Sequence, residues 1–311
     1  MAATPFPIDE TRTGIALAYK NEEMIADQVL PVVTPVPKKE FTYLNYPIAE
    51  GLTVPDTKMG RRSEANTISL SATETPSATD DYALSDLVPN DDVDNAPEGY
   101  DPLNHATETV TDLMILDREI RVAGLVFNAA TYGAGNKAQL AGASQWSDFV
   151  NSDPFRAMWD ALDIPTVRPN LGTFGQATWN KLAIHPKVIA GVYGSASTRG
   201  KVLLADLAEA LEIPKLIVGK ARVNTAKRGQ AAVLNRAWGK HAAFLHVNAL
   251  ANNQRGMTFG MTVPKGRLRQ VRIIDEPKIG VGGSQRVQVE SQVKELISAP
   301  DCGYFFQDAV A

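Results

Sequence analysis

The longest regular pattern of hydrophobic and polar positions in the chain runs through residues 101–133. Asp101 followed by Pro102 is a typical helix start, and Gly133 suits the left-handed position that ends many helices. The pattern predicts one helix roughly 50 Å long, with Leu113, Leu116, Ile120 and Phe127 facing the core. Its apolar positions recur in steps of three and four, at Leu103, Ala106, Val110, Leu113, Leu116, Ile120, Ala123, Phe127 and Ala130. Alone, such a helix also suits an ordinary enzyme domain.

Residues 1–40 do not show the pattern of a compact domain. A short helix is predicted within residues 15–28. Residues 29–37 then contain three prolines, which forbid a helix and remove backbone donors. We therefore expect an ordered, extended arm whose apolar side chains need a surface to lie on, rather than a floppy leader; they include Pro31, Val32, Val33 and Val36.

Residues 41–77 show the alternation of two β-strands around a polar, glycine-bearing tip. Phe41 and Tyr43 open the first strand, and residues 67–73 alternate with period two in the return strand. The tip carries the basic residues Lys58, Arg61 and Arg62. An isolated two-stranded ribbon is marginal in water. We expect it to dock outside itself; packing on its own domain is the alternative.

The rest of the chain alternates between helical and strand patterns. Residues 78–100 are acidic and are interpreted as a solvated linker, because they do not match a calcium-binding loop. Asp153 and Pro154 open a second capped helix, in which Phe155, Met158, Trp159 and Leu162 share one face. Strands are predicted at residues 176–184, 216–224, 242–247, 271–274 and 286–296, and helices at residues 186–193 and 202–211.

Composition narrows the class of protein. The 311 residues are 44% hydrophobic and 21% charged, as in a globular protein of one large domain or two lobes. A net charge of −4 argues against a dedicated nucleic-acid binder, which would carry a basic stripe. The single cysteine, Cys302, excludes an internal disulfide framework. No signal peptide or membrane span is expected.

Motifs for catalysis are absent from the sequence. The four histidines and Cys302 show no metal-ligand spacing. No nucleophile elbow, HExxH motif, P-loop or dinucleotide fingerprint is present. The charged residues at positions 117–119 and 121 are interpreted as a solvated helix face, with ion pairs as the alternative. We therefore predict no catalytic residue, no metal and no cofactor, although a cytosolic α/β enzyme with an unrecognised site stays a second alternative.

The order of these parts resembles the major capsid proteins of tailed bacteriophages, which have the HK97-type fold. The resemblance covers essentially the whole chain. Its most specific pieces are the arm motif (Ile25, Ala26, Asp27, Leu30, Pro31) and the helix motif (Arg118, Glu119, Val122, Ala123, Phe127, Asn128). It implies an α+β fold with an N-terminal arm, an extended β-hairpin loop, a peripheral domain with a long spine helix, and an axial α/β domain.

Carried onto this sequence, the resemblance implies five segments. They are the arm (residues 1–40), the extended loop (41–77), a peripheral domain (78–164) with the spine helix at 101–133, the axial domain (165–266), and the closing strands of the peripheral domain (267–311). Tips of the axial domain would meet around five-fold and six-fold axes. The family's cleaved scaffolding segment has no counterpart, so scaffolding is expected from a separate protein or is dispensed with.

The function implied is self-assembly into pentamers and hexamers of an icosahedral shell that encloses double-stranded DNA. The implied location is the virion, assembled in the host cytoplasm. The partners are further copies of the chain, portal and scaffolding proteins, a decoration protein in some members, and DNA through weak non-specific contacts. An encapsulin-like nanocompartment shell is the close alternative. Candidate contacts between subunits are Pro31, Val32, Val33, Val36, Lys58, Arg61, Arg62, Arg118 and Arg121.

Overall fold

The computed structural model describes residues 9–18, 23–45, 54–61, 64, 67, 73–194, 200–227, 229–251 and 256–311. In these ranges the α-helices are α1 Glu10–Ala18, α2 Ala26–Val29, α3 Asn90–Asp94, α4 Pro102–Val126, α5 Pro154–Ala161, α6 Gln176–Leu182, α7 Pro186–Tyr193 and α8 Leu204–Ala210. The strands are β1 Glu40–Asn45, β2 Thr73–Ala78, β3 Asp80–Pro89, β4 Lys137–Gln139, β5 Leu171–Gly175, β6 Lys215–Gly219, β7 Arg222–Asn224, β8 Leu234–Arg236, β9 Ala242–Leu245, β10 Gly260–Pro264, β11 Gln270–Glu276, β12 Ser284–Ile297 and β13 Gly303–Gln307.

The long helix α4 begins where the sequence predicts and ends earlier. The side chain of Asp101 caps it, accepting from the backbone N–H of Leu103 at 2.9 Å. The expected end at Gly133 is wrong: α4 stops at Val126, and Gly133 has a φ of −59° rather than a left-handed value. Two hydroxyls supply the reason, because Thr131 donates to the Leu125 carbonyl and Tyr132 to that of Val126. These bonds satisfy carbonyls that a helix end leaves free.

The buried face of α4 also differs from the predicted one. Leu113 is 49% exposed and Ile120 is 39% exposed, so both face away from the core, contrary to the prediction. Phe127 does pack inward, with its ring edge-on to Trp238 at 5.1 Å between ring centres. The helix buries instead Leu103, Ala106, Thr107, Val110, Thr111, Glu119, Val122, Ala123 and Val126. Polar and small residues on this face hid its position from the hydrophobic pattern.

A sheet centred on β12 supports the N-terminal half of α4. Strand β12 pairs antiparallel with β11, with β10 and with β3. Residues 271–274 and 286–296, predicted as strands, therefore lie in one sheet. The earliest strand of this sheet in the chain is β3, which lies inside the segment interpreted as a solvated linker. That interpretation is wrong: β3 pairs along ten residues of β12, and its carboxylates lie on an exposed edge strand, where charge is tolerated.

A second, mixed sheet has the strand order β4-β13-β9-β5-β6. Successive residues of β9 point to opposite faces, so Phe244 joins the core under α5–α8, while Leu245 joins the core beneath α4 and the arm. Residues 176–184, predicted as a strand, form α6, and the strand β5 ends immediately before it. Helix α7 covers the predicted residues 186–193. Met158 and Ala161 of α5 are buried in the same core as Phe244.

The described residues show extended chain in the second half of the arm and at the base of the ribbon. The single helix expected within residues 15–28 is replaced by the two short helices α1 and α2. Residues 32 and 36 form parallel bridges with Thr262 and Lys265. The ribbon's base is the antiparallel pair β1–β2, in register from Glu40 opposite Ala78 to Asn45 opposite Thr73. Most of the predicted return strand at residues 67–73 lies outside the described residues.

Candidate functional site

The arm lies on the edge strand β10 of its own chain. The backbone N–H of Val33 donates to the Thr262 carbonyl at 3.0 Å, and the N–H of Thr262 donates to the Pro31 carbonyl at 2.9 Å. Further along, the N–H of Val36 donates to the Pro264 carbonyl at 2.9 Å. The three prolines suit this arrangement, because they hold the chain extended while the residues between them donate.

The apolar side chains of the arm are divided between two environments. Val33 and Val36 are buried in a cluster with Met261, Val263 and Leu296 of their own chain. Their own sheet covers these two valines, which leaves little of either side chain for the expected contact with a neighbouring subunit. Pro31 and Val32 are half-buried. They stay candidates for a contact between subunits.

Glu119 joins three separate parts of the fold. Its side chain is fully buried, although the sequence pattern indicated a solvated face. The carboxylate accepts from the backbone N–H groups of Ile25 at 2.9 Å and Ala26 at 2.7 Å, where α2 begins. It also accepts from the indole Nε1 of Trp238. Burial raises the pKa of Glu119 above its ordinary value, while these hydrogen bonds act in the opposite direction.

The two candidate arginines of α4 form ion pairs within the chain. Arg118 pairs with Asp27 of the arm and donates to the Thr262 hydroxyl at 3.0 Å. Arg121 pairs with buried Glu295 at 3.0 Å and pairs with Asp117. Its guanidinium also lies 3.7 Å from the ring centre of Tyr82. Both arginines are mostly buried, so the ion-pair alternative describes them better than a solvated face.

The tip of the extended loop is exposed wherever the structure describes it. Residues 54–61 are all exposed, including the candidates Lys58 and Arg61. The backbone N–H of Lys58 donates to the Asp56 carboxylate at 2.9 Å, a local turn contact. Val54 is 83% exposed and Met59 is 59% exposed. Arg62 lies outside the described residues. The tip therefore presents both cationic and apolar side chains to solvent.

The outer face of α4 is a second exposed apolar surface. Leu113 and Ile120 lie seven residues apart, about two helical turns, and so share one face. Half-buried Leu116 lies between them. We call these three residues the outer helix face. Soluble monomers rarely expose such a row of large apolar side chains, and an exposed apolar patch is typical of a surface that contacts another molecule.

Sequence reasoning overlooked the bond between Glu119 and Trp238 and the pairing of Glu295 with Arg121. One signal was available: Glu119 lies three residues before Val122 and seven before Val126, so it falls on the buried stripe. A carboxylate on such a stripe needs donors. Those donors come from segments 93 and 119 residues away in the chain, which no local pattern reports.

The described residues offer little for cofactor or metal chemistry. Within those ranges, no group of three His, Cys, Asp or Glu side chains is placed to hold a metal ion. No helix there combines the length and the apolar character needed to cross a membrane. Burial raises the pKa of the Cys302 thiol to about 11, so this buried group is protonated at neutral pH.

Comparison with known proteins gives one full-length relative and a set of structural neighbours. No protein-family model matches the chain. The chain is 49% identical over 311 residues to the major capsid protein of Pseudomonas phage JBD67, covering 100% of both sequences. A phage-related protein from Bordetella bronchiseptica RB50 superposes with a TM-score of 0.78 at 22% identity, over 98% of this chain and 99% of that one.

A virion structure shows the same fold at greater distance. The capsid protein of cyanophage P-SCSP1u gives a TM-score of 0.59 at 13% identity, over 93% of this chain and 89% of that one. At such identities the two structures show the fold alone, while the full-length relative shows the family. The chain therefore belongs to the major capsid proteins of bacteriophages, with the HK97-type α+β fold, and is a structural shell protein of the virion.

Proposed function

We propose that this protein assembles into pentamers and hexamers of an icosahedral shell that encloses a double-stranded DNA genome. The observation that carries the proposal is the pair of exposed apolar surfaces on one subunit, the loop tip at residues 54–61 and the outer helix face. Neither is covered by the described part of its own chain. Burying one large aliphatic side chain contributes about 1.5–3 kcal/mol. Each surface thus favours contact with another copy.

In this proposal the extended loop of one subunit lies over the outer helix face of its neighbour. Val54 and Met59 supply the apolar part of the contact. Lys58, Arg61 and Arg62 supply the charged part. Counter-charges are available on the exposed helix α3, where Asp91, Asp92 and Asp94 make no ion pair with any described residue. Exposed pairs contribute only about 0–1 kcal/mol each. Their effect therefore depends on repetition over many identical contacts.

The arm has a different role from the one that the sequence suggested. Because Val33 and Val36 are buried on their own sheet, the arm braces its own subunit. Half-buried Pro31 and Val32 are left to meet a neighbour. We place portal and scaffolding proteins, and a decoration protein, among the partners of the assembled shell. Packaged DNA meets the shell through weak, non-specific contacts.

The role proposed is structural rather than catalytic. The full-length relative is a phage capsid protein, which favours a genome shell over the encapsulin-like alternative. A cytosolic enzyme would need a pocket with convergent polar groups, and the buried polar groups of Glu119 and Glu295 are occupied by donors from their own chain. The exposed loop tip and the outer helix face therefore support a role in assembly rather than in catalysis.

Electron microscopy of the purified, expressed protein tests the proposal. We expect closed shells from the wild-type chain, and fewer or open particles from the double variant Arg61→Glu, Arg62→Glu at physiological salt. The matched control is Lys181→Glu, Lys201→Glu, which makes the same charge change at two exposed lysines outside the loop. Normal shells from the loop variant would contradict the charged part of the contact. A wild-type chain that never forms shells would contradict the proposal as a whole.

A further inference from the structure

The charges of this chain are separated along the sequence, which its net charge of −4 conceals. Residues 63–117 contain thirteen Asp or Glu and no Lys or Arg. Residues 213–274 contain twelve Lys or Arg and no Asp or Glu. A basic segment of this kind is the electrostatic feature that a phosphate backbone recognises. The small net charge therefore says little about what one part of the surface binds.

The basic residues that lack a partner are concentrated in residues 215–236. Some cations of the larger segment are paired, for example Arg267 with Glu10 and Arg272 with Glu290. Arg228 lies outside the described residues. Within the described part of residues 215–236, five cations make no ion pair. Four of them are exposed and the fifth, Arg236, is half-buried; the others are Lys215, Lys220, Arg222 and Lys227.

The hairpin β7–β8 holds two of these cations side by side. Arg222 lies directly opposite Arg236 in the antiparallel register, so both side chains leave the same face. Like charges directly opposite each other destabilise a strand pair. The side chain of Asn224 holds the described residues at the two sides of the turn, accepting from the backbone N–H groups of Ala226 at 3.1 Å and Val233 at 3.0 Å. An anion between the arginines would remove the repulsion.

The exposed aspartates of α3 are too far away to do so. The exposed aspartates of α3 lie close to the start of α4, and the hairpin leads directly into Trp238, which packs on Phe127 at the other end. The helix between these ends is about 37 Å long. Screening reduces surface interactions beyond roughly 8–10 Å at physiological salt. The aspartates of α3 therefore do not neutralise the hairpin, and no carboxylate of the described residues forms an ion pair with Arg222 or Arg236.

We propose that the hairpin β7–β8 and the lysines near it in the chain, Lys215, Lys220 and Lys227, form a binding surface for the phosphate backbone of double-stranded DNA. The inference rests on the proposed function, which makes DNA the polyanion enclosed by the shell. Arginine presents a planar fork that binds phosphate through two parallel bonds. A second copy fits less well for two reasons. Several carboxylates of its acidic segment are already paired: Asp80 with Lys294, Asp81 with Lys39, Asp101 with Arg12, and Asp117 with Arg121. The unpaired aspartates of α3 are assigned in the proposed function to the loop tip of a neighbouring subunit.

The test measures the salt dependence of DNA binding by the full chain. A labelled 30-base-pair duplex is titrated by fluorescence anisotropy between 50 and 200 mM NaCl. Five phosphate contacts predict a loss of about 500-fold in affinity over this range, and three contacts a loss of about 40-fold. We expect the loss of about 500-fold for the wild-type chain, and the loss of about 40-fold for the double variant Arg222→Gln, Arg236→Gln. The matched control is Lys181→Gln, Lys201→Gln, which should follow the wild type.

Three results would overturn the inference. One is an unchanged salt dependence in the arginine variant, and another is an equal change in the lysine control. The third is normal DNA binding by the arginine variant together with lost self-association, which would assign the hairpin to a second copy. Electron microscopy of the same samples separates this inference from the proposed function. Normal shells that bind no DNA contradict only the inference, whereas a wild-type chain without shells contradicts the proposed function.

Discussion

The indole N–H of Trp238 donates to the carboxylate of Glu119, which lies 119 residues earlier in the chain. The same carboxylate holds the backbone of Ile25 and Ala26. One buried side chain therefore connects the arm, the long helix α4 and the segment that follows the basic hairpin. Hydrogen bonds to a charged group are the stronger kind, and leaving their donors unpaired in a buried site is costly.

Replacing this carboxylate should destabilise the subunit strongly. Glu119→Ala leaves three buried donors without an acceptor, at about 1–3 kcal/mol for each unsatisfied group. We expect the free energy of unfolding to fall by at least about 3 kcal/mol. Urea denaturation of the unassembled subunit, followed by tryptophan fluorescence, measures the change.

A charged neighbour on the same helix provides the control for Glu119→Ala. Asp117 is exposed and pairs with Arg121 one turn away. Asp117→Ala should therefore change the free energy of unfolding by less than about 1 kcal/mol. Equal losses in the two variants would mean that α4 tolerates no change at this level, and that Glu119 has no special role as a connection.

The ionisation of Glu119 should affect the pH dependence of stability. Burial raises the pKa of this carboxyl above its ordinary value of 4.5, so the folded state holds the proton more tightly than the unfolded chain does. The resulting stability is fully present below the unfolded pKa and is lost as the pH rises through the folded pKa. Urea titrations of wild type and Glu119→Gln from pH 4 to pH 7 test this, since the advantage of the wild type should shrink as the pH rises. An advantage that grows would reverse the assigned sign.

Local signals predicted the start of α4 and the limits of α7 because a single cap or proline determines them. Asp101 followed by Pro102 is a local device, and its hydrogen bonds lie within the first turn. The inward face of α4 was not predictable in this way. The helix packs on a sheet at one end and on a second core at the other, so its buried stripe contains Thr107, Thr111 and Glu119 beside apolar residues.

Strand β3 and the surface under the arm were also not predictable from local sequence, because each depends on residues far away in the chain. The carboxylates of β3 suggested a linker, because the partner strand β12 begins about 200 residues later in the chain and leaves no local trace. The arm's extended form follows from its prolines, whereas the surface that receives Val33 and Val36 could not be read from their neighbours. Lys58 and Arg61 are exposed, which agrees with a position in a loop, and their contact with a neighbouring subunit stays a prediction.

Removing the arm should damage the subunit before it affects assembly. Deletion of residues 1–37 takes away Ile25, Val29, Leu30, Val33 and Val36, all of which are buried in the chain's own cores. It also removes two donors to Glu119. We expect a lowered melting temperature or insoluble protein. A truncated subunit that melts like the wild type would show that the arm's contacts contribute little to stability.

The outer helix face should separate folding from assembly. Ile120 is exposed, so Ile120→Ala leaves no cavity and should lower the free energy of unfolding by less than about 1 kcal/mol. Val126 is fully buried on the same helix, and Val126→Ala removes two methyl groups and should cost about 2 kcal/mol. Thermal melting of the unassembled subunit measures both changes.

Light scattering and electron microscopy then follow assembly, which the outer helix face should affect more than stability. The double variant Leu113→Ser, Ile120→Ser should fold normally and form few closed shells. If it assembles like the wild type, the outer helix face does not contact a neighbour, and the loop of the adjacent subunit must rest elsewhere.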